Sequence, residues 1–171
     1  MNRSELEREL ERLHAESWGW ALACVGRDRS MAEDALQTAY LRMLAGQVRF
    51  DHRSSFKSWA FGVIRFTGME EMRRRRRSAA RDAGAEAAAS VIDLSPGPDV
   101  TAERAERAAA LRAALTALSP RQREVLQLVF YHDMTIEEAA GVMRISLGSA
   151  RTHYERGKKA LAKQIDHVDV R

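Results

Sequence analysis

The sequence predicts an all-α protein, with two small helical domains joined by a flexible linker. Apolar residues recur every three to four positions in several stretches, the spacing of amphipathic helices, and no stretch alternates like a β-strand. The 171 residues include only three prolines and ten glycines, which permits long helices. Residues 78–99 are instead rich in Ala, Gly, Ser, Asp and Pro, a composition typical of a linker. We therefore expect domains at residues 1–77 and 101–171 and a linker at residues 78–100.

Three helices are expected in the first domain. Periodic apolar residues place the first at Arg3–Val25 and the second at about Met31–Leu44. Ser30 or a neighbour can begin the second helix, and Gly46 follows its end. A third helical stretch covers about Phe56–Arg77. Because it is apolar at its start and strongly basic at its end, we expect it to be packed at one end and exposed at the other.

In the second domain, helical periodicity resumes at Thr101. Ser119 is placed to cap a further helix, with Pro120 at the first helical position and Gln122 at the third. This combination of a capping side chain and an early proline predicts a helix that begins at Pro120.

The last third of the chain has the layout of a helix-turn-helix. Thr135 with Glu138 three residues later predicts a capping box, and Ser146 can cap a second helix that runs to about Ile165. Such a helix fits the major groove of DNA, where arginine can read guanine and glutamate can accept from cytosine. Four polar side chains fall on its outward face: Arg151, Thr152, Glu155 and Arg156.

Positive charge is concentrated in two places. The formal net charge is only +4, yet Arg65–Arg81 and Arg144–Lys163 each carry a net charge of +5. Five consecutive arginines, Arg73–Arg77, repel one another unless an anion lies nearby. Although charge runs are usually solvated helix faces, two basic patches on an otherwise acidic chain indicate two contacts with a polyanion.

Several classes of protein are disfavoured. The sequence contains no run of eighteen apolar residues, so it predicts no membrane span. The first residues lack the apolar core of a signal peptide, so we expect a cytoplasmic protein. Cys24 is the only cysteine and is expected to be a small buried hydrophobe. The scattered histidines do not have metal-ligand spacing, and no phosphate-binding loop or nucleophile motif is present. We expect no metal, no cofactor and no enzymatic activity.

The chain resembles bacterial sigma factors of the extracytoplasmic-function type (ECF, group 4, of the sigma-70 family). This resemblance covers about residues 5–77, similar to region 2, and 101–165, similar to region 4. The motifs that carry it are Ala32–Gln37, Tyr40–Arg42, Phe56 with Trp59, Arg73–Arg77, Ala114–Leu126, Thr135–Ala140 and Ser149–Leu161.

The resemblance implies an alternative sigma factor that binds core RNA polymerase and promoter DNA. Its contacts with polymerase would be the β′ coiled coil and the β flap, and an anti-sigma factor is an expected further partner. The surface implied for the β′ coiled coil consists of Glu33, Asp34, Gln37, Thr38, Tyr40 and Leu41.

Two further sets of residues are implied to contact DNA. For the −10 element, the polar loop residues are favoured over Trp59 as base contacts, because Trp59 and Phe61 at this spacing are more often core. Arg73–Arg77 would hold phosphates, and Lys158 and Lys159 in the second domain would either contact phosphate or remain solvated. The −10 set is Phe50, His52, Arg53, Ser54, Ser55, Phe56, Lys57, Arg73, Arg74, Arg75, Arg76 and Arg77. The −35 set is Ser149, Arg151, Thr152, Glu155, Arg156, Lys158 and Lys159.

The chain also departs from the pattern of the family. Thr38 stands where an acidic residue is usual, either as a tolerated substitution or as a phosphorylation site. Arg65–Phe66 and Glu70 replace Arg-Asn and Asp, and Arg144 replaces the glycine frequent in the turn of the helix-turn-helix. If Arg144 takes a positive φ, the strain costs on the order of 1 kcal/mol.

Two other functions remain open from the sequence. A plain helix-turn-helix regulator would account for residues 101–165 but would leave the first basic patch unused. A sigma-like decoy would keep the fold only to bind an anti-sigma factor. Such a decoy would be expected to lose base-reading side chains, so the presence of Arg151 and Arg156 argues against it.

Overall fold

The computed structural model describes residues 1–82 and 113–166, and in these ranges the chain is helical with connecting turns and loops and has no strand. The predicted all-α class is confirmed. The chain divides into two compact units, Met1–Ile92 and Asp93–Arg171. In the described ranges, no helix is long and apolar enough to cross a membrane.

The first unit contains three helices that pack on one another: α1 (Arg3–Cys24), α2 (Arg29–Leu44) and α3 (Phe56–Asp82). Asn2 forms a capping box with Glu5 at the start of α1. The N-cap of α2 is Asp28, whose carboxylate accepts a hydrogen bond from the Met31 N–H. Of the two alternatives that the sequence offered, the helix therefore begins at a neighbour of Ser30 and not at Ser30 itself.

Helix α3 is longer than the sequence predicted. It continues past Arg77 to Asp82, so Ser78–Asp82, which we assigned to the linker, are helical. Alanine and arginine are strong helix formers, and five residues without proline or glycine extend an existing helix readily. The remainder of the predicted linker and the predicted helix start at Thr101 lie outside the described residues.

The core of the first unit is centred on two aromatic rings. Trp20 and Phe61 are almost fully buried, and their rings stack with centroids 5.6 Å apart and planes 7° apart. Around them α2 contributes mainly small side chains, among them Ala32, Ala35 and Ala39. In a close-packed core, small side chains on one helix offset the volume of large rings on its neighbours. Cys24, expected to be buried, is only half-buried.

The second unit begins, in its described part, with helical residues 113–117. They are followed by α4 (Pro120–Phe130), α5 (Ile136–Met143) and α6 (Leu147–Asp166). The predicted capping box of Ser119 and Gln122 is present, with proline at the first helical position. The Arg123 side chain donates to the carbonyl oxygens of Leu115, Thr116 and Leu118, which ties α4 to the preceding helical turn.

Helices α4, α5 and α6 pack around a compact apolar core. A Cβ added to Gly157 of α6 would lie 2.8 Å from a methyl carbon of Leu126 and 3.3 Å from the Cβ of Gln122, both in α4. An added methyl group would therefore force the Leu126 side chain to shift, so the two helices approach most closely at this glycine. The main buried apolar residues are Leu118, Val125, Leu126, Leu128, Met134, Ala139, Val142, Met143 and Ala150.

Candidate nucleic-acid and polymerase interface

An aromatic cluster organises the loop between α2 and α3. The Phe50 ring lies 4.4 Å from that of His52, 5.5 Å from Phe56 and 5.4 Å from Trp59, measured between centroids. His52 has a φ of 60°, in the left-handed region that non-glycine residues rarely adopt. These tilted and edge-to-face ring contacts hold the loop against the start of α3, with His52 exposed.

Polar residues of the same loop serve partly to begin α3. The Ser55 hydroxyl accepts a hydrogen bond from the Ser58 N–H at 3.2 Å, the geometry of an N-cap. Arg53, whose side chain is 88% exposed, lies beside Asp51 at 3.5 Å. Lys57 forms an ion pair with Glu16 of α1, so its ammonium is engaged within the unit. Among the predicted −10 residues, the structure therefore gives Ser55 and Lys57 additional structural partners.

The arginine run occupies an exposed part of α3. Arg73–Arg77 are all exposed, as the sequence predicted for the basic end of this helix. Glu71 forms an ion pair with Arg74 at 2.7 Å and raises the pKa of the Arg74 guanidinium. Arg75 reaches Asp28, the N-cap of α2, at 3.2 Å. These pairs orient two guanidinium groups, and the run keeps an excess of positive charge at the surface.

The outward face of α2 carries the residues predicted to bind polymerase. Glu33, Asp34 and Gln37 are exposed, and Leu41 is 61% exposed, an unusual position for a large apolar side chain. Tyr40 lies at the edge of this face nearest α1, with its hydroxyl 3.4 Å from His14 Nδ1. Burial raises the pKa of Tyr40 above its ordinary value.

A groove of about 530 Å³ separates α2 from α3. Thr38 and Asp34 both line it, so they share one surface, as their spacing predicted. Arg42 crosses the groove to Glu70 of α3 at 2.5 Å, with both side chains about a third exposed (31% and 41%). Thr38 therefore lies among charged side chains of both signs: Asp34, Arg42, Glu70, Glu71, Arg74 and Arg77.

The helix-turn-helix has the predicted caps. The Thr135 hydroxyl accepts from the Glu138 N–H at 3.1 Å, and the Glu138 carboxylate accepts from the Thr135 N–H at 3.0 Å. At the turn, Arg144 has φ 53° and ψ 50°, so it takes the positive φ at which a non-glycine residue is strained. The Ser146 hydroxyl then accepts from the Ser149 N–H at 3.1 Å and begins α6.

The second helix of this motif exposes the predicted base-reading side chains. Ala150 and Gly157 are buried against the rest of the unit, whereas the Thr152 hydroxyl donates to the Gly148 carbonyl oxygen. Tyr154 and Leu161 are half-buried, and the Tyr154 ring stacks on that of Phe130 with centroids 5.8 Å apart. All seven predicted −35 residues are exposed: Ser149, Arg151, Thr152, Glu155, Arg156, Lys158 and Lys159.

Some relationships at these surfaces were not found from the sequence. The pairs of Arg42 with Glu70 and of Lys57 with Glu16 join separate helices, and no local pattern signals them. His132 is 1% exposed, beneath the exposed Tyr131. Among the described residues, no group of His, Cys, Asp or Glu side chains is placed to hold a metal ion.

The fold and its surfaces define a two-unit, helical DNA-binding protein. The model of sigma-70 region 2 matches residues 10–78, and that of sigma-70 region 4 matches residues 108–161. The ECF RNA polymerase sigma factor SigX of Bacillus subtilis is 30% identical over 142 residues, which cover 82% of this chain and 73% of SigX. EcfG of Rhodopseudomonas palustris, also an ECF sigma factor, is 30% identical over 131 residues, which cover 77% of this chain and 69% of EcfG.

The chain belongs to the ECF sigma factors of the sigma-70 family. It is an alternative sigma factor, which binds core RNA polymerase and directs transcription from promoters. Solved structures share the fold: RpoE of Bartonella quintana in complex with the anti-sigma factor NepR superimposes with a TM-score of 0.73 and 22% identity, covering 95% of this chain and 97% of RpoE. CnrH in complex with the cytosolic domain of CnrY superimposes with a TM-score of 0.60 and 23% identity, covering 97% of this chain and 90% of CnrH.

Proposed function

We propose that the first unit docks on core polymerase through α2 and holds the −10 element, while α6 of the second unit reads the −35 element. One observation carries this proposal: each unit presents exposed basic side chains beside a feature suited to contact bases. In the first unit that feature is the aromatic loop around Phe50, and in the second it is the exposed face of α6.

The polymerase contact is assigned to the α2 face because of its composition. Leu41 is a large exposed apolar group on the same helix as the exposed Glu33, Asp34 and Gln37. An apolar anchor within a polar rim is the usual anatomy of a protein interface. The acidic rim favours a basic partner surface, and the β′ coiled coil is the partner that family membership implies.

The −10 contact is assigned to the loop that precedes α3 together with Arg73–Arg77. Single-stranded bases bind to proteins by stacking on rings and by phosphate contacts with cations, and each stacked base is worth about 1–3 kcal/mol. His52 and Arg53 are exposed at the tip of the loop, next to the aromatic cluster. The arginines supply sequence-independent contacts with phosphates.

The −35 contact is assigned to Arg151, Thr152, Glu155 and Arg156. These side chains are exposed on one stretch of α6, immediately after the capped turn at Ser146. Arginine binds the guanine edge in the major groove, and glutamate accepts from cytosine. Lys158 and Lys159, one turn further along, are assigned to phosphates.

Regulation is proposed to act through an anti-sigma factor, because RpoE, which shares the fold, is bound to one. The assigned surfaces bind and position other molecules, so we propose that the protein has no catalytic activity of its own. A protein with these partners acts in the cytoplasm.

Transcription in vitro tests the proposal directly. The full chain and core polymerase are incubated with a library of random duplexes, and the transcripts are sequenced. We expect transcripts that start at a fixed distance from a shared two-part sequence. Leu41→Ala should weaken binding to core polymerase, whereas Glu11→Ala, at an exposed position of α1, should not.

The other candidate functions give different results in the same assay. A helix-turn-helix regulator would bind duplex DNA without polymerase and would not bind core polymerase. A decoy would capture an anti-sigma factor and yield no transcripts. Either result contradicts the proposal.

A further inference from the structure

Arg75 connects the exposed arginine run of α3 to the start of α2. Its guanidinium reaches Asp28, 47 positions earlier in the chain, where Nη1 donates to the carboxylate at 3.2 Å. Nη2 donates to the Ser30 hydroxyl at 3.4 Å, and Nε lies 3.8 Å from the Glu71 carboxylate. All three nitrogens of this side chain therefore face partners within the first unit.

The neighbouring arginines are held less firmly or not at all. Arg74 is paired only along its own helix, with Glu71, and its side chain is 72% exposed, against 45% for Arg75. Arg76 is exposed, and within the described ranges no carboxylate lies within ion-pair distance of its guanidinium. Arg76 can therefore approach a DNA phosphate without losing an acidic partner, whereas Arg75 cannot.

The two carboxylate oxygens of Asp28 have separate roles. Oδ1 accepts from the Met31 N–H at 2.8 Å, which caps α2, and Oδ2 accepts from Arg75. Because the cap already fixes the position of the carboxylate, holding Arg75 costs Asp28 little additional side-chain entropy. Asp28 is therefore a preorganised acceptor for the guanidinium.

We propose that Asp28 competes with DNA phosphate for Arg75 and thereby weakens sequence-independent binding of the first unit to duplex DNA. This inference rests on the proposed contact of Arg73–Arg77 with phosphates. Arginine binds a phosphate most strongly through two adjacent N–H groups, and on Arg75 these groups are directed at protein partners. DNA must displace Asp28 before it gains this contact. Since phosphate contacts supply non-specific binding, the competition lowers binding to DNA of any sequence.

The test measures binding of the full chain to a short duplex of random sequence by fluorescence anisotropy, at about 50–200 mM salt. Asp28→Asn removes the charge and keeps the cap, since asparagine and aspartate cap helices about equally well. We expect about two- to fivefold tighter binding at the lowest salt, the factor that corresponds to an exposed ion pair. The slope of the logarithm of the binding constant against the logarithm of the salt concentration should steepen by about 0.9, the value for one additional phosphate contact.

Alanine variants of two neighbouring arginines show whether this gain depends on Arg75. In the parent chain, Arg75→Ala should weaken binding by a smaller factor than Arg76→Ala, because Asp28 holds Arg75. In the Asp28→Asn background, the two alanine substitutions should weaken binding by the same factor. Glu11→Gln is the control for net charge, because it removes one negative charge at an exposed position of α1. It should leave the slope unchanged.

The inference is overturned if Asp28→Asn binds like the parent chain while Arg76→Ala weakens binding. It is also overturned if Asp28→Asn tightens binding equally when Arg75 is replaced by alanine, since the gain would then come from net charge.

Two further outcomes are also decisive. If Asp28→Asn does not fold, the alanine variants decide the question, and equal losses for Arg75→Ala and Arg76→Ala in the parent chain overturn the inference. If neither alanine variant weakens binding in either background, the proposed phosphate contact of the arginine run is itself wrong. That result differs from unchanged binding by Asp28→Asn alone, which leaves the phosphate contact intact and removes only the competition.

Discussion

Trp20 of α1 is joined to Phe61 of α3 by two contacts: its indole N–H donates to the Phe61 carbonyl oxygen at 3.0 Å, and the two rings stack. Both residues are buried, and they lie 41 positions apart in the chain. The contact fixes the start of α3 on α1. It therefore also supports the loop cluster at Trp59, two residues before Phe61.

We expect Trp20→Phe to destabilise the first unit by about 1–3 kcal/mol. The variant loses a buried hydrogen bond and leaves space around a smaller ring. Trp18→Phe, at a half-buried position of the same helix, should lose less than about 1 kcal/mol. All three tryptophans lie in this unit, so unfolding in urea followed by tryptophan fluorescence reports on it alone. Equal losses for the two variants would contradict the structural role of Trp20.

Gly157→Ala should destabilise the second unit by about 1–3 kcal/mol, because the new methyl group would overlap Leu126 of α4. Gly148→Ala is the matched control on the same helix, since nothing lies within 4 Å of its added Cβ. That control should be neutral or up to about 1 kcal/mol more stable, as alanine favours helix. Hydrogen exchange of peptides from α4 and α6 measures the difference, and peptides from α1 serve as the internal reference.

Arg144→Gly should stabilise the second unit by about 1 kcal/mol. Glycine adopts the observed φ of 53° without the steric strain that arginine has there. Arg144→Ala removes the same side-chain contacts but keeps the strain, so it should be less stable than the glycine variant. Thermal unfolding of the two variants gives the comparison. Identical midpoints would show that the turn is not strained.

Arg151→Ala and Arg156→Ala should each cost about 1–3 kcal/mol of binding to the −35 duplex and should relax its sequence preference. Lys159→Ala should weaken binding to all sequences alike and reduce the salt dependence. Competition binding with the full holoenzyme at several salt concentrations distinguishes the two patterns. Uniform, sequence-independent losses for all three variants would remove the assignment of Arg151 and Arg156 as base-reading residues.

Thr38→Glu should tighten binding to core polymerase at low salt, where exposed charges act most strongly. The substitution supplies the carboxylate that the family usually has here, and it approximates the charge of a phosphothreonine. Thr38→Val should bind like the parent chain. The groove offers an internal partner as well, since Arg42 is four residues along the same helix. If the affinity of Thr38→Glu is unchanged at low salt, the missing carboxylate at position 38 does not weaken polymerase binding. Phosphorylation of Thr38 as a switch is then excluded as well.

The sequence determined those features that depend on residues close together in the chain. The capping boxes at Ser119 and Thr135 join residues three apart, so the side chains involved meet as soon as the helix forms. The sequence also located the turn of the helix-turn-helix at Arg144, and the structure supplied its positive φ. The exposure of Arg73–Arg77 and of the α6 face followed from charge, because isolated charges remain in water. The family resemblance was carried by the same local motifs.

Tertiary structure decided the rest, because the partners are far apart in the chain and many arrangements satisfy the same periodicity. The tertiary packing buries Trp20 and leaves Trp18 half-buried, and it pairs Arg42 with Glu70, 28 positions away. Packing also paired Lys57 with Glu16, left Cys24 half-exposed and brought the Leu126 side chain against Gly157. The prediction that α3 ends at Arg77 was wrong. Residues 78–82 have the composition of a linker, but a helix that has already formed extends through them at little cost.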